Sequence, residues 1–210
     1  MIVDVLETNH AERDQAEKFI HDRFGLEYSA DIRHFMPHLI RVRDHKRRDK
    51  AIMGYRDAGH HRLFLEVYLD EPVEVEMSDY LGYPVSREHI VEVGNLAEVE
   101  PGDARLAIIS ATAYLYTAGY RWVVFTGVTK LRNAFRRMGL EPKELMEADL
   151  ARLSENEKNE WGSYYQGRPV VCFGEIKEGY DNLQELWAML RDSWASAVEA
   201  GEKQARKRKS

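Results

Sequence analysis

Apolar residues recur along this chain with two periods, and the switches between them mark its elements. Residues 1–6 (MIVDVL) alternate as a first strand. Residues 11–24 set Ala16, Phe19, Ile20 and Phe24 at helical spacing behind a candidate cap, Asn9, and a loop with Gly25 and Tyr28 follows. The segments HLIRVRD (38–44) and AIMGYRDA (51–58) flank the turn RRDK and predict a hairpin. RLFLEVYLD (62–70) is apolar enough for either helix or strand. Residues 90–99 (IVEVGNLAEV) begin as a strand, break at Gly94-Asn95 and resume, with apolar positions at Val91, Val93, Leu96 and Val99. Glycine packs no side chain and weakens a core strand, so either a bulge sits there or something approaches the backbone. After Pro101-Gly102, residues 104–119 predict an apolar helix ended by Gly119. RWVVFTGV (121–128) reads as a strand buried on both faces, and TKLRNAFRRMGL (129–140) as a helix capped by Thr129 and stopped by Gly139. RPVVCFGEI (168–176) is a late strand. Residues 180–200 form an amphipathic closing helix with Leu183, Leu186, Trp187, Leu190 and Trp194 on one side.

This order, a strand, helix and hairpin followed by strand–helix–strand–helix–strand and a terminal helix, predicts an α/β architecture: a mixed sheet covered by helices. Composition alters the picture little. The chain has 210 residues, 44% hydrophobic and 31% charged, enough for a substantial core. A net charge of −6 implies no general attraction to nucleic acid. The single cysteine, Cys172, excludes an internal disulfide and lies in an apolar strand, which suits a buried thiol better than a nucleophile. The start shows no basic region followed by an apolar core, and no apolar run nears the roughly 20 residues that span a bilayer. A cytoplasmic location without stable membrane insertion is expected. The end, GEKQARKRKS (201–210), reads as a basic, disordered tail.

Candidate chemistry converges on the strand, turn and helix from 90 to 119. A helix N-terminus presents unpaired N–H groups and a partial positive charge, so it can hold a phosphate. Gly102 permits close approach there, and Arg105 in the first turn can add a charge-assisted hydrogen bond. Gly94 would let the strand splay from its neighbour and expose backbone groups to an extended, amide-bearing ligand. Such turns also open many helices that bind nothing. Other templates fail: His34 and His38 are separated by Pro37, His60-His61 reads as a turn, and no Cys/His cluster has zinc spacing, so no metal is expected. There is no G-x-S-x-G elbow, Walker-type loop or dinucleotide fingerprint.

The strand ending in such a turn, followed by helix, strand and NAFRRMGL, resembles the GNAT acyltransferase fold. RLFLEVYLDEPVE, REHIVEVGNLAEVEPGDAR, WVVFTGVTKLRNAFRRMGLEP and WGSYYQGRPVVCFGEI closely resemble the thermostable hemolysin family across residues 10–178, with EVGNLA as the central motif. The resemblance implies a mixed, mostly antiparallel sheet flanked by helices, with a C-terminal helix. It divides the chain into a GNAT-like domain (1–178), the closing helix (179–200) and the tail (201–210). It implies an acyl-CoA or acyl-carrier-protein donor whose pantetheine arm lies between splayed strands, and a small-metabolite or amino-acid amine as acceptor. A carrier protein is the implied partner; a second copy of the chain is expected separately, since the apolar stripe of the closing helix suits either core or dimer contact. The family is similar to acyl-homoserine-lactone synthases, which carry an E-x-S-R element. Glu92 falls at its Glu, Gly94 replaces the Ser and Asn95 the Arg. Losing that cation argues against an acyl-homoserine lactone product and leaves acyl transfer intact.

Under this resemblance Glu92 is the candidate general base. Asn95 either bonds the thioester oxygen or acceptor, or caps a bulge, while N–H groups from Gly94 to Leu96 face the oxyanion. Gly102, Asp103 and Arg105 take the donor phosphates. Asn133, Arg132 and Arg136 face the cofactor, unless the arginines form a solvated face. Arg56, Glu66 and Tyr165 are candidate acceptor ligands, and Tyr164 the acid for the departing thiolate, against surface charge and aromatic packing as the ordinary alternatives. Two rival functions are a non-catalytic, degenerate fold that binds a ligand, and a membrane-active hemolysin.

Overall fold

The predicted strands and the βαβ unit are present in the computed structural model, which describes residues 1–183 and 191–208. Seven strands form one sheet: β1 (Ile2–Leu6), β2 (His38–Arg43), β3 (Asp49–Asp57), β4 (Ile90–Glu98), β5 (Trp122–Gly127), β6 (Lys143–Glu147) and β7 (Val170–Glu175). Their order is β1-β2-β3-β4-β5-β7-β6, antiparallel throughout except for the parallel pair β4–β5. A parallel pair needs a crossover, here α3 (Asp103–Thr117). The other helices are α1 (Arg13–Tyr28), α2 (Val73–Leu81), α4 (Thr129–Arg137), α5 (Glu155–Glu160), α6 (Ile176–Asn182) and α7 (Arg191–Arg208).

Helix α3 is apolar nearly all round because it is covered twice, by the sheet and by α7. Its Ala107, Ile109, Ala113 and Tyr114 are buried in one cluster with Met53, Val91 and Phe125 of the sheet and Ala197 of α7. On the opposite face, Ala16, Ile20 and Phe24 of α1 pack on Leu39, Ile52 and Ala97, while Val73 and Met77 of α2 pack near Ile90, Val124 and Phe173. The buried tyrosine hydroxyls of this cluster are paired, as an unpaired one would be costly: Tyr55 meets Tyr114 at 2.8 Å, and Tyr120 donates to Asp57 at 2.9 Å.

The strand β4 is bulged rather than broken. Gly94 pairs with Gly54 and Ala97 with Ile52, so β4 carries one residue more than β3 across the same span. Asn95 absorbs the extra residue with a φ of 49°. The bulge reverses the alternation. Val91, Val93 and Leu96 lie on the α3 side, whereas Ala97 joins the α1 side. Pairing with β5 runs only from Ile90–Trp122 to Val93–Phe125, and beyond it the two strands part.

Several local expectations are corrected. Helix α1 starts at Arg13 with Glu12 at its N-cap, so Asn9 lies outside it, and the helix runs through Gly25 and Tyr28 to a left-handed Ser29. The cap position of α4 is Val128, and the Thr129 hydroxyl instead donates to the Gly167 carbonyl at 3.2 Å. Segment 62–70 holds only a 3-10 turn, Phe64–Val67. The elements α2, β6 and α5 were not expected. In the closing helix, Leu186, Trp187 and Leu190 lie outside the described residues.

Residues 201–208 are helical rather than a disordered tail. Two causes act there. Glu199–Lys203 and Glu202–Arg206 are spaced i,i+4 at 2.8 and 3.9 Å. Gly201 also lets α7 approach α3 closely, since a Cβ there would lie 2.6 Å from the Tyr114 carbonyl. Gly201→Leu should therefore cost about 1–3 kcal/mol, the usual range for overpacking. A urea melt reads this directly, and an unchanged midpoint would mean that α7 does not dock on α3.

Candidate active site

The parting of β4 from β5 opens a cavity of about 440 Å³. Its floor is Met53, Val93 and Phe125, and its walls come from α1, the segment 32–36, α4 and residues 157–164. At the vertex, just before the last β4–β5 pair, stands Glu92, only 3% exposed. The 3-10 turn exists to receive it: the Phe64 and Leu65 N–H groups donate to its two oxygens at 2.8 and 2.9 Å. Burial raises the Glu92 carboxyl from its ordinary 4.5 to about 7, while the two amides pull the other way. It is thus held at a value suited to accepting a proton near neutrality.

The turn is itself clasped. Arg87 donates to Glu66 at 2.5 Å, to Glu74 at 2.6 Å, and to the Ala58 and His61 carbonyls at 2.8 and 3.1 Å. Glu66 also accepts the Leu63 and Val73 N–H groups at 2.8 and 3.2 Å, so it ties the loop and does not line the cavity. Arg56 does line it, and stands directly opposite Glu92 in the β3–β4 register.

What approaches the backbone at Gly94 is part of the same chain. A Cβ on Gly94 would lie 2.7 Å from Met36 Cε, and one on Gly54 2.8 Å from Met36 Cβ. Met36 is fixed from both sides, its N–H donating to Asn95 Oδ1 at 2.9 Å and its carbonyl accepting from Arg13 at 2.5 Å. Asn95 therefore holds the bulge to the 32–36 wall. Gly94, Asn95 and Leu96 all line the cavity.

Tyr164 lines the cavity and donates to the Thr126 carbonyl at 3.1 Å, and burial raises its pKa. Tyr165 sits behind the wall, its hydroxyl bonded to that of Tyr68, which does face the cavity. The α3 N-terminus is already filled: Glu98 accepts the Gly102 and Ala104 N–H groups at 3.1 and 2.8 Å. Asp103 pairs with Lys50 at 3.1 Å, and Arg105 is exposed, so neither residue reaches the cavity. In α4, Arg132 and Arg136 turn to Glu144 at 3.1 and 2.9 Å, and Asn133 accepts from Arg136. The opposite face, with Lys130, Leu131, Ala134 and Phe135, forms the wall.

Glu92, Gly94, Asn95, Leu96, Arg56 and Tyr164 are thus brought to one cavity; Glu66, Gly102, Asp103, Arg105, Arg132, Asn133, Arg136 and Tyr165 are not. Sequence reasoning missed the Phe64 and Leu65 amides, Met36, Glu98 and Trp161. Only the last had a signal. The capping box Ser154-x-x-Glu157 starts α5, which delivers Trp161 at its end.

A family model described as thermostable hemolysin matches residues 6–180, and the chain belongs to that family. No curated protein matches the chain. Among solved structures, it is similar to BjaI, a CoA-dependent acyl-homoserine lactone synthase, at 14% identity over 93% of this chain and 98% of that one, with a TM-score of 0.58. FeeM, an N-acyl amino acid synthase from uncultured soil microbes, is 11% identical over 85% and 97%, with a TM-score of 0.57. The acyl-homoserine lactone synthase LasI is 13% identical over 83% and 89%, with a TM-score of 0.56. At these identities the likeness establishes the fold, which is GNAT-like: a mixed, mostly antiparallel sheet with helices on both faces and a C-terminal helix.

Proposed function

We propose that the protein is an N-acyltransferase that moves an acyl group from a thioester of coenzyme A or acyl carrier protein to the amine of a small metabolite or amino acid. The observation that carries this reading is the buried Glu92 at the vertex of the split between β4 and β5. Past Val93, the β4 edge has no β5 partner, so its backbone groups are available to the amide-bearing arm of a donor. The apolar floor of Met53, Val93 and Phe125 suits an acyl chain. The names of FeeM and BjaI support the class of reaction and of donor.

In the proposed reaction the amine attacks the thioester carbonyl, the C–N bond forms and the C–S bond breaks. An acceptor that arrives as its ammonium form first gives one proton to solvent, and Glu92 takes the second as the C–N bond forms. Unpaired β4 N–H groups receive the charge that builds on the carbonyl oxygen. The thiolate leaves with a proton from Tyr164, which water restores from Glu92. Among the described residues no helix is long and apolar enough to cross a membrane. The test is calorimetric titration with acyl-CoA and acyl-carrier-protein thioesters, followed by mass spectrometry of products formed with a panel of amines. Saturable binding and N-acylated product are expected, and absence of binding by both donors would sink the reading.

A further inference from the structure

We propose that Arg56 and Glu92 form a clamp for an α-amino acid, Arg56 taking its carboxylate and Glu92 its amine. This narrows the acceptor and rests on the acyl-transfer reading above. The two residues are directly opposed on β3 and β4, a relation that sets Cβ atoms about 4.5–5.5 Å apart on one face of the sheet. Both line the cavity. An α-amino acid carries its two charged groups on one carbon, and a cross-strand pair of opposite sign can meet both at once.

The other charges around the cavity are engaged. Lys130 pairs with Glu27 at 2.7 Å, and Arg23 donates to the Val99 carbonyl at 2.7 Å. Glu98 caps α3, Glu157 caps α5, and Glu160 meets His34 at 3.4 Å. Glu66, which faces Glu92 from the turn, is held by Arg87. Arg56 differs. It is half-buried, gives one N–H to the Arg62 carbonyl at 3.2 Å, and has no carboxylate within 4.0 Å among the described residues. A guanidinium has five N–H donors, so most of its fork is left for a ligand. Glu92 has accepted one N–H on each oxygen, and a carboxylate offers about four lone-pair sites, so two remain for an ammonium group. The remaining direction leads to the rings of Phe64, Tyr68, Trp161 and Tyr164, which suit an apolar or aromatic side chain on the acceptor.

An amine without a carboxylate would leave Arg56 uncompensated, and unpaired polar groups of this kind make a site reject an analogue strongly. The experiment compares L-phenylalanine, phenylalaninamide and phenethylamine, both as acceptors in acyl transfer and as ligands of the donor-free protein by calorimetry. The native chain should favour L-phenylalanine by on the order of 100-fold, the scale for truncating one partner of a buried charge pair. Arg56→Met should bring that ratio near unity through the KM of the amino acid, leave binding of the acyl donor unchanged, and so report a folded protein. Arg56→Lys should retain part of the preference. Acylation of phenethylamine as readily as of phenylalanine, or a ratio that survives in Arg56→Met, would overturn the clamp while leaving acyl transfer in place. If no thioester is consumed but L-phenylalanine still binds in an Arg56-dependent way, the clamp stands and the acyl-transfer reading falls.

Discussion

Glu92→Gln should lower kcat by roughly 10² to 10⁴, the range that a positioned general base contributes, with donor affinity little changed. The side chain keeps its size and one acceptor for the Phe64 and Leu65 amides, but can no longer take a proton. In the native protein kcat/KM should rise with pH and level off above about 7, where the Glu92 carboxyl becomes ionised. Stability should show the opposite trend. The folded carboxyl holds its proton to a higher pH than the unfolded one, whose ordinary value is 4.5. The folded state therefore binds more protons between those values, and its stability falls as pH climbs from 4.5 to 7. Glu92→Gln should remove that part of the slope. Denaturant melts across this window, alongside pH–rate profiles, check both halves. A Gln variant with undiminished turnover would refute the assignment of Glu92 as base.

Arg87→Met should have the next largest effect, although Arg87 is outside the cavity. Its guanidinium, with a side chain 27% exposed, joins Glu66, Glu74 and two carbonyls of the loop that delivers the Phe64 and Leu65 amides. Removing it leaves two carboxylates without their cation; the cluster is partly solvated, so the cost is about 1.5–3 kcal/mol, the scale of hydrogen bonds to charged groups. The effect on rate has a definite sign. Amide donors favour the ionised form of Glu92, so a loosened turn raises its pKa further and moves the acidic limb of the profile to higher pH. A shift of about one unit would mean roughly a tenfold loss on that limb. Arg87→Lys keeps the charge but not the planar fork, and should recover the limb only in part. A variant that melts earlier with its limb unmoved would show that Arg87 supports the fold alone.

Much of this geometry is legible in the chain, and the gaps have identifiable causes. The βαβ unit could be read because its strands are long, apolar and separated by turn residues. The bulge is legible too: apolar positions step by two from Val91 to Val93, then by three to Leu96, an interval that plain alternation cannot produce. What fills the space over Gly94 was not legible, because Met36 comes from a segment nearly 60 residues away whose path depends on Arg13 and Asn95. Capping of α3 by Glu98 was hidden for a similar reason. The turn PGDAR announces a helix start, but its partner is a strand residue whose direction is set beyond the bulge. The arginines of α4 misled because charge drew attention to one face. The apolar Leu131, Ala134 and Phe135 mark the other as the inward one, and the hydrophobic rule decides between them. Elements α5 and β6, six and five residues long, are too short and too charged to show a period.

The extra residue in β4 also bears on how this chain can change in length. Between Val93 and Ala97 the constraint is one of parity. Deleting Asn95 restores strict alternation with Leu96 still on the α3 side and Ala97 still on the α1 side, because the bulge residue is the one left out of the ladder; what goes is the bulge and the bond that fixes Met36. Losing a pair of residues would instead exchange the faces, placing Leu96 against α1 and Ala97 against α3 and withdrawing Glu98 from the first turn of that helix. The count there can fall by the one bulged residue without moving a side chain to the other face, but not by two.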